Sequence, residues 1–100
     1  SSIKRSRALP EVSTLAESGL PGFDVTGWYG VIAPAGTPGA IVSKLQVDIA
    51  AVLQAPDTGA KLIAEGAEPV GSTTEAFAKF LQRETQKWAQ VVKTAGIRLD

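Results

Sequence analysis

The stretch "GFDVTGWYGVIAPAGTPGA", Gly22 to Ala40, decides how the chain is read. From Val25 to Ala33 its residues are β-branched or aromatic with little alternation of polarity, the pattern of a strand covered on both faces. This predicts a central strand. Gly27 and Gly30 bracket Trp28 and Tyr29, and a glycine inside a strand signals a bulge, a bend or a close approach of other atoms. The Trp28–Tyr29 pair fits either packing in a core or stacking on a ligand.

Working outward toward the C-terminus, Thr37-Pro38 puts a capping oxygen before a proline, which predicts the start of a helix. Ile41, Val42, Leu45, Ile49, Val52 and Leu53 follow at helical spacing on one buried face, up to Gln54, with Pro56 as the stop. A shorter helix capped by Asp57 carries Leu62 and Ile63 and ends at Gly66. "AEPV", Ala67 to Val70, contains Pro69 and reads as an edge strand. Ser72 and Glu75 have the spacing of a capping box, and Phe77, Phe80, Leu81, Trp88, Val91, Val92 and Ala95 form the core face of a long helix. Gly96 and Ile97 fit a Schellman stop.

On the N-terminal side, Lys4, Arg5 and Arg7 precede any periodicity and read as a solvated arm. Thr14 and Glu17 have the spacing of a capping box, which predicts a short helix ended by Gly19. Pro21-Gly22 then fits the centre of a type II turn. Helices following strands indicate an α/β layer, but two or three short strands make a poor sheet alone, so the fold is expected to be part of a larger one.

Composition narrows the function. The chain has 100 residues, 44% hydrophobic and 20% charged, within the range of ordinary globular domains. Ten basic residues balance ten acidic ones, so no positive field draws it to nucleic acid or anionic lipid. No apolar run reaches the roughly 20 residues that span a bilayer, and no signal-like segment opens the chain. With neither His nor Cys, Ser/His/Asp and Cys/His catalysis are excluded within the chain, and the usual metal ligands are missing. No carboxylate pair has a spacing that argues for acid–base work. An enzyme reading of this chain therefore has little support, and neither cofactor nor metal is expected. "PAGTPGA" could offer backbone donors to an anion, but it lacks the lysine of a P-loop, and turn chemistry accounts for Gly36 and Pro38.

Several motifs in order, "ALPEVSTLAESGLPGFDVTGWYGVIAPAGTP" and then "GAEPVGSTTEAFAKFLQRETQKWAQVVKTAGI", resemble the C-terminal part of the substrate-binding receptors of tripartite tricarboxylate transporters, the Bordetella uptake gene family. The resemblance covers Ala8 to Ile97. Where the family usually has proline, this chain has Ser13 and Thr74, and both still suit helix starts.

The resemblance implies a two-lobed α/β periplasmic-binding-protein fold, of which residues 1–100 are a C-terminal portion with an interlobe hinge strand near 22–34. It implies a periplasmic receptor that captures a small carboxylate or similar anionic solute and passes it to membrane transporter subunits. Asp24, Thr26, Gly27 and Trp28 are the candidate ligand-facing residues. The alternative is a freestanding half-fold module acting in self-association, as a homodimer, or in protein contact.

Overall fold

The computed structural model describes residues 1–98, so the last two residues of the expected 1–100 portion lie outside the described residues. Among the described residues three helices follow one another: α1 (Gly39–Gln54), α2 (Pro56–Ala64) and α3 (Thr74–Ala95). The first 38 residues consist of turns and irregular chain.

Helix starts differ from the sequence reading in detail. Thr37 does not cap α1, because its hydroxyl donates to the Pro34 carbonyl at 2.7 Å and closes the preceding turn. The residue flanking α1 is Pro38, with no side-chain cap. Asp57 lies inside the first turn of α2, with Ala55 as the flanking residue, so it complements the helix dipole without capping. On α3 the cap is Thr73, whose hydroxyl accepts from the Ala76 amide at 3.1 Å. The expected Ser72 box is thus displaced by one residue, since the threonine next door reaches the same free amides.

The stops follow their chemistry. Gly66 takes a φ of 82° just beyond α2. Gly96 is left-handed at φ 66°, and the Ile97 amide reaches back to the Val92 carbonyl at 3.1 Å, the six-to-one bond of a Schellman motif.

The Thr14–Glu17 box forms, with the Glu17 amide donating to Thr14 Oγ1 at 3.1 Å and the Thr14 amide to Glu17 Oε1 at 3.4 Å. It organises turns over 15–19, not a helix. The type II turn also forms, with the Phe23 amide on the Leu20 carbonyl at 3.0 Å and Gly22 at φ 79°.

Among the described residues no strand is present. The expected central strand Val25–Ala33 and edge strand Ala67–Val70 are irregular chain, and the α/β layering is not formed within this segment. A strand exists only when a neighbour takes its amides and carbonyls, and residues 26–33 find no such neighbour here. The segment is not covered on both faces either: Tyr29 is fully exposed and Ile32 is 83% exposed.

Burial is sparse throughout. Thr14 alone among the described residues falls into the buried class. The accessible surface is 8093 Å², against roughly 5,400 Å² for a folded monomer of this mass. The radius of gyration is 16.5 Å, against about 13 Å for a compact domain of 100 residues. The apolar face of α1 is only half used: Val42, Ile49 and Leu53 are half-buried, whereas Ile41, Leu45 and Val52 are exposed. Trp88, expected in the core, is 39% exposed, and its indole N–H donates to Glu84 Oε2 at 2.7 Å.

Long-range polar links hold the pieces together. Arg5 Nε donates to Glu17 Oε1 at 2.9 Å, and Arg7 Nε donates to Glu68 Oε2 at 2.8 Å. The basic arm is therefore paired in two of its three positions. The amide of Gln46 on α1 donates to the Ser72 carbonyl at 3.2 Å.

Candidate functional site

The segment after the Gly22 turn is delivered onto α3, and this junction is where the candidate residues gather. Phe77 and Phe80, three apart on α3, share a face of the helix. Trp28 meets both edge-on, with ring centroids 5.9 Å and 5.1 Å away and interplanar angles of 83° and 80°. Edge-to-face contact is a preferred aromatic arrangement, because a positive ring edge points at a negative face. About two helical turns beyond Phe80, Lys87 Nζ donates to the Asp24 carbonyl at 2.6 Å.

The Asp24 carboxylate is used locally. Its Oδ1 accepts from the Ile3 amide at 3.1 Å and from the Thr26 hydroxyl at 3.2 Å. Val25 exchanges two backbone bonds with Ser1, at 2.9 Å and 3.1 Å. Beside these contacts lies an open hollow of about 290 Å³ lined by Gly22, Asp24, Phe80, Arg83, Glu84 and Lys87. It falls just below the roughly 300–1,000 Å³ typical of ligand pockets.

Of the four residues named from sequence, Asp24 reaches the rim of this hollow, and Thr26 is tied to it through the Asp24 carboxylate. Trp28 turns to Phe77 and Phe80. Gly27 faces open space, since a β-carbon built there would meet nothing within 4 Å. The close approach anticipated from the glycine pair is made by Gly30 instead, against the Phe77 ring.

The sequence reading passed over Arg83, Glu84 and Lys87. Their signal was the four-residue spacing of Arg83 and Lys87, which puts two cations on one helix face. Lys87 also lies 3.7 Å from the Glu84 carboxylate and 5.5 Å from the Trp88 ring centroid.

A second hollow, of about 180 Å³, lies between residues 1–6 and 9–14 and includes Arg5 in its lining. There the Arg5 guanidinium, through its hydrogen bonds first and its charge as well, draws the Glu17 carboxyl down to about 2, and burial opposes the shift. Glu68 is lowered in the same way, chiefly by hydrogen bonding from Arg7. Among the described residues no group of three or more His, Cys, Asp or Glu could hold a metal ion, and no helix is long and apolar enough to cross a membrane.

The arrangement sets the aromatic and cationic groups of α3 beside the backbone of residues 24–30. The chain belongs to the family of tripartite tricarboxylate transporter receptors, whose sequence model, "Tripartite tricarboxylate transporter family receptor", matches residues 1–97. It is 40% identical over 92 residues to the "UPF0065 protein in tcbD-tcbE intergenic region" of Pseudomonas sp. strain P51, covering 91% of this chain and 27% of that protein. It is 38% identical over 95 residues to "Protein BugT" of Bordetella pertussis, covering 95% and 29%. A UPF0065 protein from the TAR-I ttuE-ttuC' intergenic region of Agrobacterium vitis is 31% identical over 91 residues, covering 88% and 26%. The chain thus spans 26–29% of the length of these three curated relatives.

Proposed function

We propose that this chain is the C-terminal portion of a periplasmic solute-binding receptor of a tripartite tricarboxylate transporter. The observation that carries the reading is the match to the receptor family over residues 1–97. In this reading the complete receptor has two α/β lobes, captures a small mono-, di- or tricarboxylate between them, and delivers it to membrane subunits. The segment 22–34 is a hinge strand and one wall of the cleft, with Asp24, Thr26, Gly27 and Trp28 facing the ligand. The attachment of that segment to α3, through Lys87 and the Trp28 ring, supports a wall with one fixed side.

Half a cleft binds poorly, because a pocket closed on both sides excludes the water that competes for each donor. Calorimetric titration of a carboxylate panel against this 100-residue chain and against the protein of its complete reading frame tests the proposal. Binding by the longer protein with little or none by the short chain is expected. A longer protein that binds no carboxylate overturns the receptor reading, and micromolar binding by the short chain overturns the division of labour.

A second reading, self-association of this segment as a dimer, is favoured by the exposure of Val31 at 70%, Ile32 at 83% and Val70 at 72%. Large apolar residues left exposed in this way are candidates for an interaction surface. Light scattering over a concentration series separates the two: a monomer throughout rules out the dimer.

A further inference from the structure

We infer that the edge of the segment Thr26–Ala33 receives an antiparallel strand from the residues that precede Ser1 in a protein of the relatives' length. The inference rests on the receptor reading above, which places this chain at the C-terminal end of such a protein, and on three observations independent of it.

The first is the pairing already present. The Val25 amide donates to the Ser1 carbonyl at 2.9 Å, and the Ser1 nitrogen, here the amino-terminal ammonium, donates to the Val25 carbonyl at 3.1 Å. Two residues that exchange both bonds are one hydrogen-bonded rung of an antiparallel ladder. The second is that this ladder is closed at one end. The Ile3 amide, which would reach toward Phe23 in a continuing ladder, is taken by the Asp24 carboxylate at 3.1 Å, and the chain turns away at Gly22. Growth is open only past Val25, where residues 26–33 make no backbone hydrogen bond among the described residues.

The third is that the open segment already has the pleat of a strand. Trp28 packs on Phe77, and a β-carbon on Gly30 would point into the same ring. Residues two apart sharing one face is the period of a strand. With that face on α3, the hydrogen-bonding edge stands free beside it. The run "VTGWYGVIA" has the β-branched and aromatic content that suits a partner there.

The rung fixes the register. The residue immediately before Ser1 lies opposite Thr26, and the second, fourth and sixth before it lie opposite Gly27, Tyr29 and Val31. Positions opposite Thr26 form a non-hydrogen-bonded pair with α-carbons about 4.5 Å apart, within the range a disulfide spans.

The test uses the complete protein, with Thr26→Cys combined with a cysteine at the position preceding Ser1, and oxidation followed by mass measurement and non-reducing electrophoresis. An intrachain disulfide is expected, with Gly27→Cys paired to the same upstream position closing at least tenfold less efficiently. Absence of the intrachain bond, equal closure in both registers, or a disulfide formed mainly between two molecules overturns the proposal. Hydrogen exchange on the unsubstituted protein gives an independent reading: the amides of Gly27, Tyr29 and Val31 exchange at least tenfold slower than an unpaired chain, and free exchange at all three overturns the pairing. Neither measurement involves a ligand, so a protein that crosslinks in register yet binds no carboxylate fails the receptor reading alone.

Discussion

A β-carbon on Gly30 would overlap Cζ of Phe77 and lie 3.2 Å from both of its Cε atoms. The aromatic ring of α3 therefore occupies the space that a side chain at position 30 would need, and the glycine of the irregular segment and the phenylalanine of the helix are a matched pair. Phe77 in turn stacks near Phe80, with centroids 6.1 Å apart and planes within 17°.

Gly30→Ala is expected to destabilise the chain by roughly 1–3 kcal/mol, the usual range for overpacking. The obstacle is the far end of a side chain, so the ring moves instead of the backbone, at the expense of its contacts with Trp28 and Phe80. Urea denaturation of Gly30→Ala, Phe77→Ala and the double variant measures this. The alanine should cost little once the ring is gone; additive effects would show that the two residues do not compete for one space.

The Trp28–Phe80 contact should appear as a coupling energy of about 0.5–1.5 kcal/mol in a double-mutant cycle with alanine at each position. The 5.1 Å edge-to-face geometry motivates the value. Coupling near zero would mean that Trp28 is not seated on α3 in solution.

Trp88→Ala in this 100-residue chain should cost less than about 2 kcal/mol, below the 3–5 kcal/mol of a fully buried ring. The ring is 39% exposed, and its polar tip is satisfied by Glu84 on its own helix. Thermal unfolding of the variant is the check, and a cost in the full core range would mean that the ring is buried in solution.

The Arg5–Glu17 pair should make stability depend on acid. The Glu17 carboxyl falls from an ordinary 4.5 to about 2. A depressed carboxyl binds protons less readily in the folded chain, so its contribution is fully present above 4.5 and is lost as pH falls from there through about 2. Glu68, lowered by Arg7, acts in the same direction. Carbon-detected NMR titration of Glu17 should give a midpoint well below 4, and Arg5→Gln should return it toward the ordinary carboxylate range.

Helix ends and turns were legible in the sequence where one residue's own chemistry settles them. Gly96 with Ile97, Gly66, the Pro21-Gly22 turn and the Thr14–Glu17 box each need only a few neighbouring atoms, and each forms. Caps slipped by one residue where two hydroxyls compete, as Thr73 did over Ser72, or where a nearer carbonyl claims the hydroxyl, as Pro34 claims Thr37. The candidate site was legible in part. Asp24 and Trp28 were singled out, but their partners Lys87, Phe77 and Phe80 lie some fifty or more positions along the chain, a distance no local pattern reports.

What the sequence by itself determined is part of the local structure and the family: the three helices with their stops, the Pro21-Gly22 turn, and motifs shared over residues 1–97 with the tricarboxylate transporter receptors. What only the tertiary structure decided is which apolar residues find cover. Val25–Ala33 has the composition of a central strand, yet a strand is defined by hydrogen bonds to another segment, and apolar composition records a need for burial without naming what supplies it. Here α3 supplies one face, through Phe77 and Phe80, and Ser1 supplies one rung, leaving the edge beyond Val25 free.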